Sequence, residues 1–335
     1  MHQILFRLPE FLPGRFAGAP IFAYGVMLVV GFFVSMEVAK FLARRSKLDP
    51  EVFANAALIA LVAGVVGARI SHVLENIGDY TRSDLSFLQN LWNAINLRSG
   101  GLTYYGGFLL AFVAVLAYGF YKRVPVRLGM DIIAPCLMIG LGFGRIGCYL
   151  NGCCYGAQTS VAWAAEFPYH SDAYMEQAHD GLIRVPPDLL GRDGQARTVE
   201  EIQADQTLSP ETRAHLLSEA GGQHALPVHP AELYSTLTAW LIAGLLIAYF
   251  TLPHAPGRGF ALMLILESIT RFLLEMVRAE PVFTPFGKHI FGTMSYSMVL
   301  SIPLLVLGIV LWFAFGSRYS GAQAPVAAEP ASAAA

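Results

Sequence analysis

Residues 142–156, GFGRIGCYLNGCCYG, place an arginine, an asparagine and three cysteines at the end of an apolar run. A cysteine thiolate is a nucleophile and a soft metal ligand, and two thiols that meet can form a disulfide. The cysteines are Cys148, Cys153 and Cys154. The guanidinium of Arg145 has a planar fork that fits the oxygens of a phosphate. The stretch therefore has the residue types for thiol chemistry and for anion binding.

A second charged stretch, LILESITRFLLEMVRAEP, lies at residues 264–281. Glu267, Arg271, Glu275 and Arg278 recur at i, i+4, i+8 and i+11, which places them on one helix face. One interpretation is a structural ladder in which each glutamate neutralises an arginine. The other is a wet cavity that these side chains line.

Four arginines lie within apolar runs or at their edges, where an arginine costs about 2.5–3.5 kcal/mol on insertion scales. Two of them, Arg69 and Arg145, have no carboxylate nearby in the sequence. Together the four can supply more positive charge than the local acids cancel. We therefore predict a cavity for an anionic headgroup near the outer leaflet, lined by Arg69, Arg145, Arg271 and Arg278.

The composition is that of a membrane protein. Of the 335 residues, 55% are hydrophobic and 14% are charged, and the mean hydropathy is +0.51. A soluble globular domain carries about 25% charged residues, so this chain has too little polar surface to be one. Four cysteines are too few for a disulfide framework. The net charge of −2 gives no indication of nucleic-acid binding.

The hydropathy pattern predicts an all-α integral membrane protein with about seven transmembrane helices. Lysine and arginine are concentrated in the loops after the first and third spans. The positive-inside rule then places the N-terminus outside and the C-terminus in the cytoplasm. The predicted spans are residues 20–43, 52–74, 107–121, 129–149, 231–251, 259–279 and 293–316.

The remaining segments complete the predicted organisation. Residues 1–149 hold the first four spans, with an amphipathic arm at 75–100 that lies on the membrane. Residues 150–230 have ordinary soluble composition and form a small extracytoplasmic head. Residues 231–316 hold the last three spans. Residues 317–335 are rich in alanine and proline and are expected to be a disordered cytoplasmic tail.

Glycines are dense in three of these segments. For Gly64 and Gly67 we favour close helix packing, because small residues let two backbones approach. The clusters at 99–107 and 142–156 also allow unwound or re-entrant backbone, which a membrane tolerates where the backbone is buried or lines a cavity.

Several of these motifs occur together, and in this order, in one known family. GARISHVLEN, SGGLTYYGG, MDIIAPCLMIGLGFGRIGCYLNGCCYG, PVHPAELYSTL and RFLLEMVRAEP resemble motifs of the prolipoprotein diacylglyceryl transferases. AYGVML and GTMSYSMVLSIPLLVLG are similar to that family's first and last spans. The resemblance runs from about residue 20 to residue 316. The ordered set is much more specific than any single motif.

The resemblance implies a seven-span enzyme of the bacterial inner membrane. Such an enzyme moves the diacylglyceryl group of phosphatidylglycerol to the lipobox cysteine of a prolipoprotein signal peptide and releases glycerol 1-phosphate. Its expected partners are therefore phosphatidylglycerol, prolipoproteins and membrane lipids, and no nucleic acid. No metal and no cofactor is implied.

The resemblance also implies roles for individual residues. Arg145 and Arg271 would hold the phosphate or the leaving group, and the group that deprotonates the thiol stays open between Glu275, His229 and water. Asp131 is equally well interpreted as a structural partner of an arginine. For Glu232, next to His229, we favour a helix cap. The expected catalytic residues are Tyr105, Arg145, Arg271 and Glu275, and the expected substrate-binding residues are Tyr24, Arg69, Asp131, Asn151, Gly156, His229 and Arg278.

The chain departs from the family pattern at three positions. A histidine is usual where Tyr105 stands, an asparagine where Cys148 stands, and a glutamate where Cys153 stands. The unperturbed pKa of tyrosine is about 10, against about 6.5 for histidine, so Tyr105 is a poor base at neutral pH. It can still donate a hydrogen bond to a phosphate.

The cysteines leave three alternatives open. Cys148 and Cys153 can form a disulfide that fixes the loop, which we favour, because disulfides persist on the oxidising face of a membrane. The thiols can instead be free and packed, or, with Cys154, serve redox chemistry or bind a soft metal. Two other functions follow from these departures. One is phospholipid binding or transport without catalysis, and the other is a membrane thiol–disulfide oxidoreductase. Cys136 is expected in the core.

Overall fold

The computed structural model describes residues 4–7, 9, 18, 20–81, 86–96, 101, 103–191, 194–278 and 294–316. These residues form a two-stranded antiparallel ribbon, twelve α-helices and one 3₁₀ turn, at residues 187–189. The strands are β1 (Ile4–Arg7) and β2 (Pro20–Phe22). The helices are α1 (Ala23–Arg45), α2 (Pro50–Glu75), α3 (Ile77–Tyr80), α4 (Phe87–Ile95), α5 (Tyr104–Tyr121), α6 (Val126–Asn151), α7 (Asp172–His179), α8 (Val199–Ala204), α9 (Pro210–Gly222), α10 (Ala231–Phe250), α11 (Arg258–Glu275) and α12 (Tyr296–Gly316).

Seven of these helices coincide with the seven predicted spans. Five of them, α1, α2, α6, α10 and α12, are long and apolar enough to cross a membrane. The apolar stretch of α5 is shorter, and α11 carries four charged residues in 18. The prediction of a helical, multi-pass membrane protein is confirmed. The count of seven crossings stays a prediction, and the predicted disordered tail lies outside the described residues.

Helix α6 is the centre of the bundle and packs on α1, α10 and α11. It is helical from Val126 to Asn151, so the unwound backbone that its glycine-rich end allows does not occur within this range. The glycines there admit neighbouring side chains instead. A Cβ at Gly142 would lie 2.2 Å from the indole nitrogen of Trp240 on α10.

The pair α2 and α5 packs through glycines, as predicted for Gly64 and Gly67. A Cβ on Gly67 would lie 2.5 Å from the carbonyl oxygen of Gly106. A Cβ on Gly107 would lie 2.8 Å from the carbonyl oxygen of Gly64. The two backbones are therefore in contact, and only glycine fits between them.

The segment between α6 and α10 has a hydrophobic core of its own. Phe167, Tyr174, Leu189 and Ile202 are fully or almost fully buried in it. These side chains come from loops, from α7, from the 3₁₀ turn and from α8. This segment is thus folded, and its place outside the membrane as a head stays a prediction.

Arg69 holds the predicted arm. Its side chain is buried and donates hydrogen bonds to the carbonyl oxygens of Asn93 (2.7 Å), Ala94 (2.8 Å) and Gly101 (3.0 Å). The guanidinium also lies over the ring of Tyr80. These contacts favour a structural role, in which the arginine satisfies carbonyls near the end of α4.

Asp131 lies at the other end of α6 from the glycine-rich stretch. Its buried carboxylate accepts hydrogen bonds from the backbone N–H groups of Gly257 (2.6 Å) and Phe260 (3.0 Å) and contacts His254 Nε2 at 3.5 Å. Twenty residues separate it from Asn151, about 30 Å along a helix. Asp131 therefore anchors the start of α11, and its expected role in substrate binding stays a prediction.

We expect Asp131→Ala to lower the free energy of unfolding by about 1–3 kcal/mol, because it leaves buried N–H groups unsatisfied. Thermal unfolding of the purified protein in detergent measures the change. Asp188→Ala, at an exposed aspartate of the head, is the matched control. Equal stability of the two variants would contradict this assignment.

The contact of His254 with Asp131 predicts a dependence of stability on pH. Burial lowers the pKa of His254, but its hydrogen bonds to Asp131 and to the Leu252 carbonyl, with the Asp131 charge, raise it more. The net pKa lies above the usual 6.5. The pair therefore stabilises the fold fully below pH 6.5, and this contribution is lost as the pH rises through the raised pKa. Melting temperatures measured from pH 6 upward should fall less in His254→Gln than in the parent.

Candidate functional site

One end of the bundle collects most of the residues that the sequence singled out. Here α6 ends, α10 begins, α11 ends and α12 begins. A short backbone ladder joins the segments that leave these helices. Gly156 N–H donates to the His229 carbonyl (2.8 Å), Ala157 N–H donates to the Val277 carbonyl (2.9 Å), and Gly156 bridges Arg278.

Gly156 occurs in this ladder because no larger residue fits. A Cβ there would lie 2.6 Å from the Val277 carbonyl oxygen and 2.7 Å from the Cβ of His229. The ladder also corrects one expectation. Helix α11 ends at Glu275 and a turn follows, so Arg278 lies where the chain pairs with Gly156 and not on the helical face of the other charged residues.

Arg145 lies in the last two turns of α6 and is half-buried. Within the described part of the chain, its guanidinium makes no hydrogen bond and no ion pair. Two acids from other helices, Glu232 of α10 and Glu267 of α11, lie within electrostatic reach of it. Arg145 thus has donors available for a ligand in an environment where a charge needs a partner.

Arg271 and Arg278 share one carboxylate. The Oε2 atom of Glu275 lies 3.8 Å from Arg271 and 3.7 Å from Arg278. Its Oε1 atom accepts a 2.8 Å hydrogen bond from Ser295, and Arg271 donates a 2.8 Å bond to the hydroxyl of Ser297. The interpretation of these charges as structural ion pairs therefore holds for Glu275, whose carboxylate is held by two arginines and a serine.

The three cysteines after Arg145 form a cluster. The sulfur atoms of Cys148, Cys153 and Cys154 all lie within 4.8 Å of one another. All four cysteines lie in the described residues and are free thiols. The structure therefore does not form the predicted Cys148–Cys153 disulfide, and the Cys153 thiol lies 3.7 Å from the Cys148 carbonyl oxygen instead. Cys136 is buried in the core, as expected.

The cluster favours a thiolate. The pKa of the Cys154 thiol is lowered because the thiols of Cys148 and Cys153 donate hydrogen bonds to it. The charges of Arg145 and Arg278 lower it further, against the opposing effect of burial. Asn151, the last residue of α6, hydrogen-bonds the thiol of Cys153.

Two further expected residues, Tyr24 and His229, border the same end. The ring of Tyr24 packs on α6, where a Cβ at Gly147 would lie 2.8 Å from it, and Tyr24 is within electrostatic reach of Arg145. The Nδ1 atom of His229 lies 3.2 Å from the Tyr234 hydroxyl, which accepts a 2.7 Å bond from Trp163 of the head. Tyr234 thereby connects the head to α10, and His229 lies beside this contact.

Glu232 is the buried acid of the site. Its side chain is fully buried, and neither carboxylate oxygen has a hydrogen-bond partner among the described residues. Helix α10 begins with no side-chain cap bond, so the cap we expected for Glu232 is wrong.

For three of the expected residues no described contact reaches Arg145, and their expected roles stay predictions. Arg69 binds the arm and Asp131 lies at the opposite end of α6, as described above. Tyr105 is 63% exposed on α5, whose main packing partner is α2. Its predicted contact with a reacting lipid stays a prediction.

Sequence reasoning missed the hydroxyl groups that orient the charges. Ser295 and Ser297 lie in GTMSYSM, which we interpreted only as the start of a span. Two serines spaced by two at a helix start were the available signal, because such hydroxyls hydrogen-bond nearby polar groups.

These features define a helical, multi-pass membrane protein with a site rich in arginine and cysteine at one end of its bundle. The family model for prolipoprotein diacylglyceryl transferase matches residues 15–314. The chain therefore belongs to the prolipoprotein diacylglyceryl transferase family.

Individual relatives agree with this assignment. A phosphatidylglycerol–prolipoprotein diacylglyceryl transferase of Corynebacterium efficiens is 28% identical over 93% of this chain and 82% of its own length. One of Chromobacterium violaceum is 28% identical over 93% of this chain and 99% of its own length. One of Rhodopirellula baltica is 34% identical over 53% of this chain and 35% of its own length.

Gly156→Ala should destabilise the protein by about 1–3 kcal/mol, because the added methyl group forces the ladder apart. Gly222→Ala, at the end of α9 with open space around the new methyl group, is the control. Thermal unfolding in detergent compares them. A Gly156→Ala variant as stable as the control would mean that the ladder does not hold these segments together.

Proposed function

We propose that this protein transfers the diacylglyceryl group of phosphatidylglycerol to the lipobox cysteine thiol of prolipoproteins and releases glycerol 1-phosphate. Family membership and the names of the relatives support this reaction. They favour neither of the two alternatives, phospholipid binding without catalysis and thiol–disulfide exchange.

The observation that carries the proposal is Arg145. The guanidinium lies in a bundle of apolar helices and has no hydrogen bond to the described residues. Burying such a charge costs free energy unless a ligand accepts hydrogen bonds from it. Phosphatidylglycerol supplies the complement, because its phosphate accepts the paired hydrogen bonds that a guanidinium donates. In this proposal the lipid phosphate binds Arg145, and its acyl chains stay among the helices.

The reaction exchanges one bond for another at a glyceryl carbon. The peptide thiolate attacks the carbon that bears the phosphate ester, a C–S bond forms, and the C–O bond breaks. The electron pair goes to the departing glycerol phosphate, whose added negative charge cationic donors stabilise. Arg145 binds this oxygen directly. Arg271 adds charge from the neighbouring helix and is oriented by Ser297 and Glu275.

The remaining expected residues frame this site in the proposal. Tyr24 and Asn151 flank the phosphate, and the ladder at Gly156, His229 and Arg278 closes the side toward the head. Glu275 holds the two arginines in place. Tyr105 donates a hydrogen bond to the lipid.

The proposed orientation follows the positive-inside rule. The chain crosses the inner membrane seven times, with the N-terminus and residues 150–230 outside and the C-terminus in the cytoplasm. The site then faces the outer leaflet, where a prolipoprotein presents its lipobox cysteine.

Arg145→Ala and Arg271→Ala should each reduce transfer by about 100- to 1,000-fold, since each removes a donor from the leaving group. The assay combines the purified protein, phosphatidylglycerol vesicles and a lipobox peptide, and measures thioether product and released glycerol phosphate. Arg184→Ala, at an exposed arginine of the head, is the control.

Transfer rates equal to the parent's in Arg145→Ala and Arg271→Ala would overturn the proposed binding of the lipid phosphate by these two arginines. No product from the parent, beside an active relative assayed in parallel, would overturn the proposed reaction itself.

A further inference from the structure

The thiol cluster has the dimensions of a metal-thiolate site. Zinc–sulfur bonds measure about 2.3 Å, so two thiolates on one tetrahedral zinc ion lie about 3.8 Å apart. The sulfur atoms of Cys148, Cys153 and Cys154 lie within 4.8 Å of one another. Small side-chain rotations therefore bring all three into the coordination sphere of one ion.

The backbone fixes the three ligands from both sides. Cys148 is in the last turn of α6, and Gly152 ends the helix with φ of 79°. A Cβ on Gly152 would lie 2.9 Å from the Cβ of Ser171, so the head holds this turn in place. Cys154 itself has φ of 66°, a conformation that residues other than glycine rarely adopt. This left-handed turn brings Cys154 back beside Cys148.

The cluster offers three ligands and leaves one position open. Among the described residues, the group that can share one ion comprises the three cysteines alone. Structural zinc sites are closed by four protein ligands, whereas reactive ones have three and leave the fourth position for water or substrate. Cys154 is exposed, so the open position is accessible from outside the bundle.

The surrounding charges suit such a site. Three thiolates and a divalent zinc ion carry a net charge of −1. Arg145 and Arg278 lie within electrostatic reach of Cys154 and compensate for it. Thiolates prefer soft or borderline ions over magnesium and calcium, which take oxygen ligands.

We propose that Cys148, Cys153 and Cys154 bind one zinc ion whose open position takes the thiol of the lipobox cysteine. The inference rests on the proposed function, which requires a thiolate nucleophile beside Arg145. One of the groups expected to remove its proton is already occupied. Glu275 is engaged with Ser295 and two arginines.

In this proposal the peptide thiolate reacts while it is bound to zinc. The peptide thiol binds zinc and releases its proton to water, because a thiol on zinc is deprotonated. The bound sulfur attacks the glyceryl carbon, and the C–O bond to phosphate breaks. The leaving glycerol phosphate keeps the electron pair on its oxygen. The product thioether is uncharged and a weaker ligand than a thiolate, so it leaves the zinc ion.

Metal content tests the site without an activity assay. The full chain is purified in detergent without chelators and analysed by elemental mass spectrometry. The parent should hold about one zinc ion per chain, and Cys148→Ser, Cys153→Ser and Cys154→Ser should each lose most of it. Cys136→Ser should keep the zinc, because this buried thiol lies twelve residues earlier on α6 and outside the cluster. Size-exclusion profiles and melting temperatures show which variants remain folded.

Cobalt reports on the open position. We expect Co²⁺ to produce thiolate-to-metal charge-transfer bands when it is added to the zinc-depleted parent or to zinc-depleted Cys136→Ser. It should produce none in Cys154→Ser. A lipobox peptide should shift these bands, and the same peptide with serine in place of its cysteine should not.

The outcomes separate the inference from the function on which it rests. Zinc binding with a peptide-induced shift but no transfer would support the metal site and overturn the proposed reaction. Transfer that survives zinc removal and all three cysteine substitutions would overturn the zinc inference and leave the reaction standing. No bound zinc in the parent and no cobalt bands, or cysteines closed in a disulfide by mass spectrometry, would also overturn it.

Discussion

The charge of Arg145 is the constraint on which the rest of this site depends. A guanidinium among apolar helices requires a partner, and no described residue hydrogen-bonds it. Glu232 and Glu267 approach it from two other helices without forming an ion pair. The protein therefore keeps a positive group ready for an anion while limiting the cost of holding it in the membrane. Without these acids, the cost of holding the arginine among apolar helices would be higher. With a direct ion pair, the donors that a phosphate needs would be occupied.

The two ends of the bundle have different tasks. At one end Asp131 satisfies the backbone at the start of α11 and contacts His254, so that end is fixed by buried polar contacts. At the other end the ladder around Gly156 joins the head to α10 and α11, and Glu275 holds two arginines. Helix α6 connects these two ends. The contacts of Asp131 near its start therefore help to position Arg145 and Cys148 near its end.

Much of this was predictable from local sequence. Hydropathy located the long helices, and the spacing of Glu267, Arg271 and Glu275 placed them on one helical face. The features that the sequence did not reveal depend on tertiary contacts. Arg69 and Asp131 both looked like binding residues because a charge in an apolar run is unusual, but each satisfies distant backbone groups that no sequence window shows. The departure of Arg278 from its helix follows from the ladder with Gly156, which joins residues more than a hundred positions apart. From the sequence we favoured a disulfide over free thiols and metal binding, whereas the fold brings all three sulfur atoms together as free thiols.

A structure of the protein with phosphatidylglycerol bound would show directly whether Arg145 binds the lipid phosphate. The account predicts that a phosphate oxygen lies within hydrogen-bonding distance of the Arg145 guanidinium, at the end of the bundle where α6 ends and α10 begins. A phosphate bound elsewhere, with Arg145 paired to Glu232 or Glu267, would contradict it.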